Sequence, residues 1–241
     1  MLTGGLSCAA QSNREIVTQS AEWFVLTSAI KIHKNVNILT EAHFRYVGNF
    51  EPQQYQFRIA PEISLPKNFL LVPIAYVYTL NYIYGEQPAQ YANHENRLWE
   101  QLTYKHNIFG RVNISHRLRL EQRFMQHRTP EGEYEGYSFH SNRLRYRLMA
   151  NIPLNHSKME PDTYYVSLYD EVFVSWGDPI TYNKPDQNRI FAGVGYQATK
   201  LFTIQGGFFY QMLIKKNGLQ QENNIGFQVQ VTHNFDLTKK E

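Results

Sequence analysis

One cysteine, Cys8, occurs in the whole chain, which excludes an internal disulfide and any metal site built from several thiolates. No run approaches the roughly 18 apolar residues that a membrane-spanning helix needs. A helical membrane protein is therefore excluded, whereas a membrane barrel is not. Charge of one sign is also scarce: Lys and Arg number 24 against 21 Asp and Glu, a formal +3. That charge is spread evenly and forms no basic tail, so nucleic acid is not expected as a partner. No linker composition interrupts the middle of the 241 residues, and the chain reads as an N-terminal tail over 1–20 followed by one domain over 21–241.

The tail is small and apolar but has no basic n-region and no full-length h-region. It admits three readings: a disordered tail, the remnant of an export signal cleaved near Ala10, or a poor lipoprotein box, Gly5-Leu6-Ser7-Cys8, that would lipidate Cys8.

What the chain does contain is aromatic residues, 15% of the total with 17 Tyr and 15 Phe, alongside a polar mean hydropathy of -0.50. Both fit strands that are apolar only at alternate positions. Between 111 and 124, Val112, Ile114, Leu118, Leu120 and Phe124 share one face, and Ser115, Arg117, Arg119, Glu121 and Arg123 the other. A strand separates the two sets, whereas a helix would scatter them. Leu144, Tyr146 and Leu148 alternate with Arg143, Arg145 and Arg147 in the same way, and Ile225, Phe227, Val229 and Val231 with Asn224, Gly226, Gln228 and Gln230.

Eleven such segments follow one another: 23–32, 36–47, 53–64, 69–82, 94–106, 111–126, 140–153, 163–176, 188–198, 201–213 and 223–236. Their lengths match the roughly 9 to 11 residues that cross a bilayer at a tilt. Glu100 and Asp170 fall on apolar faces, which calls for a bulge or a boundary position. Connections alternate between short ones, such as Pro66-Lys67-Asn68, and longer polar ones at 85–93, 127–139, 177–187 and 215–222. The expected fold is all-β: a closed antiparallel transmembrane β-barrel with a polar lumen and a periplasmic C-terminus. Single-chain bacterial barrels usually have an even strand count, so a twelfth strand near 14–20 is expected, with ten strands as the alternative.

The polar face favours arginine. Ten of the 13 Arg, namely Arg45, Arg58, Arg97, Arg117, Arg119, Arg123, Arg143, Arg145, Arg147 and Arg189, lie on it, while the 11 Lys keep to turns, strand ends and termini. Water serves Lys and Arg equally, but an enclosed polar space favours the forked, partly desolvated guanidinium. Glu41, Glu62, Glu95, Glu121 and Glu171 share the face as partners. Five acids cannot neutralise ten Arg, so the lumen is expected to be partly wet. Trp23, Tyr82, Tyr164, Trp176 and Tyr210, near strand ends, suit a membrane boundary.

Asn224-x-Gly226-x-x-Val229-x-Val231, with Phe235 beyond, resembles the assembly signal of outer-membrane barrels and implies barrel assembly machinery and outer-membrane lipids as partners. The ordered set Trp23, Glu41-x-x-x-Arg45, Glu95-Asn96-Arg97-Leu98-Trp99, Arg117-Leu118-Arg119-Leu120-Glu121-x-Arg123, Asn142-Arg143-x-Arg145-Tyr146, Glu171 with Phe173, and Asn188-Arg189 resembles a family of small outer-membrane barrels. That family is common in Bacteroidota and catalogued only as a domain of unknown function. The resemblance spans roughly 20–236 and implies fold and an outer-membrane location, with no activity to carry over.

Chemistry is thinly signalled. An outer-membrane lipid hydrolase needs His and Ser on one outward face with an orienting Asn; His94-Glu95-Asn96 lacks the Ser, and His140-Ser141-Asn142 sets His and Ser on opposite faces. Glu41 and His43 share a face but make a poor metal site. No cofactor and no metal are expected. Gly193, Gly195, Gly206 and Gly207 lie within strands and relieve crowding or permit curvature. The expected role is structural, or a minor pore for small solutes, anionic ones included, with lipid hydrolysis and a soluble all-β binding protein as alternatives.

Overall fold

The computed structural model describes residues 14–85, 91–129, 131–177, 180, 184–215 and 218–238. Within them the chain forms β1 (Glu15–His33), β2 (Val36–Val47), β3 (Glu51–Leu65), β4 (Phe69–Asn81), β5 (Asn93–Ile108), β6 (Val112–Arg128), β7 (Tyr134–Pro153), β8 (Thr163–Trp176), β9 (Gln187–Gln197), β10 (Phe202–Ile214) and β11 (Gln220–His233). A two-residue β12 (Phe235–Asp236) lies against Ile30 and Lys31 of β1. No α-helix occurs among the described residues; a single 3-10 turn spans Pro66–Asn68. The segment 1–13, with Cys8, lies outside them.

Each strand pairs antiparallel with the next, from β1 through β11. The ring closes by a parallel pairing of β1 with β11, in register from Glu15 opposite Gln220 to Thr27 opposite Thr232. The parallel seam follows from the count: in an up-and-down ring of eleven, the first and last strands point the same way. This corrects the expectation of twelve strands in a wholly antiparallel ring. The extra strand sought at 14–20 is the first part of β1, which begins at Glu15 and runs on through Trp23. Residues 15–20 thus belong to the wall, not to the tail. The odd count also places Glu15 and the end of β11 at opposite rims.

Period-two sequence gives a two-faced wall. In β8, Thr163, Tyr165, Ser167, Tyr169, Glu171, Phe173 and Ser175 are buried, while the residues between them are exposed or half-buried. Closure turns the polar set inward: Arg119 and Glu121 are each 1% exposed, whereas Leu118 is 46% and Tyr146 43% exposed. The outer wall is predominantly apolar, made of Leu, Ile, Val, Phe and Tyr. Glu22, Glu100 and Asp170 interrupt it. Beside Glu100 the register of β4 with β5 does shift, between Val72 and Ala75, as the sequence called for, yet Glu100 still faces outward opposite Leu120; around Asp170 the register runs unbroken, between Leu148 and Ile190. Asp170 instead accepts a hydrogen bond from Asn188 Nδ2 at 2.7 Å.

The connections differ in detail from expectation. β6 and β7 extend through most of 127–139, leaving only 129–133 between them. The rim at the start of β1 also carries the tight turn 48–50, and the opposite rim carries the longer segment 154–162. Lys67 and Asn68 adopt left-handed φ of 58° and 63°, the pairing that lets a short turn match strand twist.

Inside, glycines make room for rings laid flat on the wall. A Cβ on Gly195 would overlap the ring of Tyr165, and one on Gly193 would overlap Phe191. The expectation that strand glycines relieve crowding therefore has its reason on the lumen side. Trp23 is likewise a lumen residue, 1% exposed, and not a boundary aromatic as its place near a strand end suggested. Its ring stacks on Phe209 with centroids 3.9 Å apart. A second apolar cluster inside comprises Ala60, Val72, Ala75, Val77 and Trp99.

Candidate functional site

The chemistry-bearing residues meet in the lumen, where strand pairing sets the arginines against carboxylates. Glu95 receives Arg97 Nε at 2.8 Å and also Arg123. Arg97 reaches on to Glu121 at 3.4 Å. Arg145 then joins Glu121, at 2.6 Å, to Glu171, at 2.8 Å. Glu171 gathers Arg117 at 2.6 Å and Arg189 at 3.6 Å as well. The result is one chain of alternating charge across β5 to β9. On the facing wall, Glu41 binds Arg58 at 2.6 Å and the imidazole of His43 at 2.9 Å.

Arg119 leans on an amide and a ring more closely than on a carboxylate. Its Nε and Nη2 donate to Gln101 Oε1 at 2.9 and 2.7 Å, its guanidinium lies 3.9 Å from the Trp99 ring centroid, and Glu121 is 3.9 Å away. Glu62 is buried on the lumen side but accepts from Asn37, not from an arginine. Arg45 and Arg147 enter no ion pair among the described residues. Arg45 donates to Gln54 at 2.7 Å and lies 4.4 Å from the Trp23 ring, which Arg189 also approaches at 4.6 Å. Arg147 lies 5.6 Å from the ring of Tyr169. Buried charges left without a counterion cost several kcal/mol, and stacking on rings offsets only part of that, about 2 kcal/mol when desolvated.

Two acids that the sequence reading missed complete the network. Asp186 pairs with Arg143 at 2.6 Å and accepts from Ser175. Glu222, 1% exposed, receives Lys215 at 2.7 Å, Asn224 at 2.8 Å and the hydroxyl of Tyr84 at 3.1 Å. Glu222 carried a signal, because it lies two residues before Asn224 and so on the same face. Asp186 lies outside β9 and carried none.

Among the described residues, two cavities in the lumen are lined by these groups. One of about 250 Å³ opens toward the rim where β1 begins, and one of about 160 Å³ lies toward the other rim. Arg45, Arg58, Arg145 and Arg189 line both, so a plate of guanidinium groups held by Glu41, Glu121, Glu171 and Trp23 separates them. Such a lumen can brace the wall, hold water and present donors to an acceptor-rich solute.

Elsewhere the candidate chemistry does not assemble. Ser141 is fully buried on the lumen side, and His140 sits at the register shift between Phe139 and Ser141. His94 faces outward to the hydroxyl of Tyr78. The pairing that does form is His127 with Ser138, exposed beyond the wall, with no carboxylate on the imidazole among the described residues. No cluster of three or more His, Cys, Asp or Glu in metal-binding geometry occurs among the described residues. Of the terminal pattern, Asn224 and Gly226 are on the lumen side, Val229 and Val231 on the outer face, and Phe235 is 44% exposed beside β1.

A family model described as "Protein of unknown function (DUF2490)" matches residues 21–223. No curated protein and no solved structure matches the chain.

Proposed function

The chain belongs to the DUF2490 family of proteins of unknown function, and from that premise we propose that it is an integral outer-membrane barrel whose charged lumen braces the wall. The observation that carries this reading is the inversion of polarity: a closed wall with Leu118, Leu144, Leu168 and Ile190 exposed outside and Arg119, Glu121 and Glu171 buried within. Water has no use for such an exterior, and an apolar patch of this extent on a soluble protein marks an interface. A bilayer covers a complete ring of it, and closed barrels are the only strand structures that satisfy every backbone group there.

The flanks support the same reading. Phe50, Tyr134, Tyr137 and Trp176 are exposed near one rim, and Tyr104 and Tyr164 near the other, as aromatic girdles at two membrane boundaries would be. The strands β1 to β11 run from 11 to 20 residues, enough to cross a bilayer at a tilt. In this orientation the rim at the end of β11 is periplasmic, and the terminal pattern from Asn224 to Phe235 is what the barrel assembly machinery would engage.

Passage through the lumen is secondary, because the guanidinium plate limits it to a slow leak of small anions. Fractionation tests the location: the protein should sediment with outer membranes, resist extraction by alkaline carbonate, and run with heat-dependent mobility on gels. Recovery in the soluble fraction would sink the reading. Reconstitution into planar bilayers tests the leak, which cation preference or complete silence would rule out while leaving the bracing role intact.

A further inference from the structure

We propose that the smaller cavity, toward the rim at the end of β11, is a binding site for a free small oxyanion, of the class of inorganic phosphate, sulfate or a short carboxylate. Six guanidinium groups line it, from Arg45, Arg58, Arg117, Arg145, Arg147 and Arg189, against two carboxylates, Glu41 and Glu171. Both carboxylates are already engaged: Glu171 holds Arg117, Arg145 and Arg189, and Glu41 holds Arg58 and His43.

The second observation is independent of the charge count. The Nε atoms of Arg45, Arg58, Arg117, Arg147 and Arg189 are buried with no hydrogen-bond partner among the described residues; all five residues line this cavity, and Arg117 and Arg147 line it alone, while the other three also face the larger one. A guanidinium is donor-only, so the missing complement must be rich in acceptors. Water satisfies the N–H groups but leaves the charge excess in place, whereas an oxyanion answers both at once. Forked N–H pairs match oxygens set on a common atom better than they match a halide.

A cavity of about 160 Å³ has room for a four-oxygen ion with residual water. The site rests on the lumen's geometry and not on what solvent meets the outer wall. A chain that binds phosphate yet fractionates as soluble would therefore overturn the preceding reading and leave this one standing.

The test uses the full chain folded in detergent, titrated with inorganic phosphate against chloride at matched ionic strength, with binding read by calorimetry and by the thermal midpoint. Saturable binding of phosphate over chloride is expected. Arg147→Gln, which removes an arginine that enters no ion pair, should weaken it at least about tenfold, the loss of one charge-assisted hydrogen bond. Arg45→Gln should act likewise, and Arg147→Lys should restore part of the affinity. Arg128→Gln makes the same change of net charge at an exposed residue bound to the Gly132 carbonyl, and it should bind as the wild type does. Absence of saturable binding to the folded wild type, or equal affinity in the wild type, Arg147→Gln and Arg45→Gln, would overturn the site and leave water as the partner of the five nitrogens.

Discussion

Gly226 and Ala21 meet across the parallel seam with no room for a side chain between them: a Cβ on Gly226 would overlap the backbone carbonyl of Ala21. Phe209 lies opposite Gly226 on the other side and stacks on Trp23, two residues beyond Ala21. The seam therefore closes on a glycine covered by two rings. Overpacking a filled interior costs about 1–3 kcal/mol, and here the obstacle is backbone, which cannot rotate away. Gly226→Ala should lose about 3 kcal/mol or more, read as a lower urea midpoint of the heat-modifiable form. Gly206→Ala is the comparison: its nearest atom would be 3.9 Å from the new Cβ, and its stability should match the wild type. Equal midpoints for the two variants would contradict a tight seam.

Glu171 answers to three arginines and Glu62 to none. Removing one partner from a buried ion network costs about 3–5 kcal/mol, because the remaining charges stay desolvated. Glu171→Gln should fall in that range and Glu41→Gln, with one arginine, below it. Glu62→Gln should lie within about 1 kcal/mol of wild type, the scale of a single neutral hydrogen bond. Equilibrium urea unfolding ranks the three, and a flat ranking would mean that water, not glutamate, carries the lumen's counter-charge.

The arginine ladder was legible in the sequence because strand geometry repeats every two residues and Arg117 to Arg123 and Arg143 to Arg147 keep that period without a break. The closure was not. A sequence shows which residues share a face, but not which distant strand completes a ring, so an odd count was mended with a strand that is the beginning of β1. Trp23 misled for a related reason: its distance from a strand end was judged from a strand drawn to begin eight residues too late. Asp186 escaped notice because it enters the lumen from a connection, where no period holds.

Ser141 gives the lipid-hydrolase alternative a direct test. Its hydroxyl is buried on the lumen side, away from any substrate in a surrounding bilayer. Purified protein should release no fatty acid from mixed micelles above the background of a heat-denatured control, and Ser141→Ala should be indistinguishable from wild type. Turnover abolished by Ser141→Ala would require a nucleophile where the fold offers none.

Two substitutions on the outer wall should act in opposite directions if lipid is its solvent. Leu144 is 36% exposed, opposite Leu120 and Val174 on its two neighbours. Arginine near the midplane of a bilayer costs about 2–4 kcal/mol, so Leu144→Arg should sharply reduce the yield of folded protein in phospholipid vesicles. Glu100 lies across from Leu120 on the same surface, and a carboxylate there costs less than arginine but still has a cost. Glu100→Leu should therefore fold into vesicles more completely than wild type, by about 1 kcal/mol in the folding equilibrium. Were the wall wetted by water, the signs would reverse: Leu144→Arg would improve solubility, and Glu100→Leu would promote aggregation by enlarging an exposed apolar surface. Measuring both variants in one vesicle-folding assay decides between the two solvents, because general damage to folding would lower both yields.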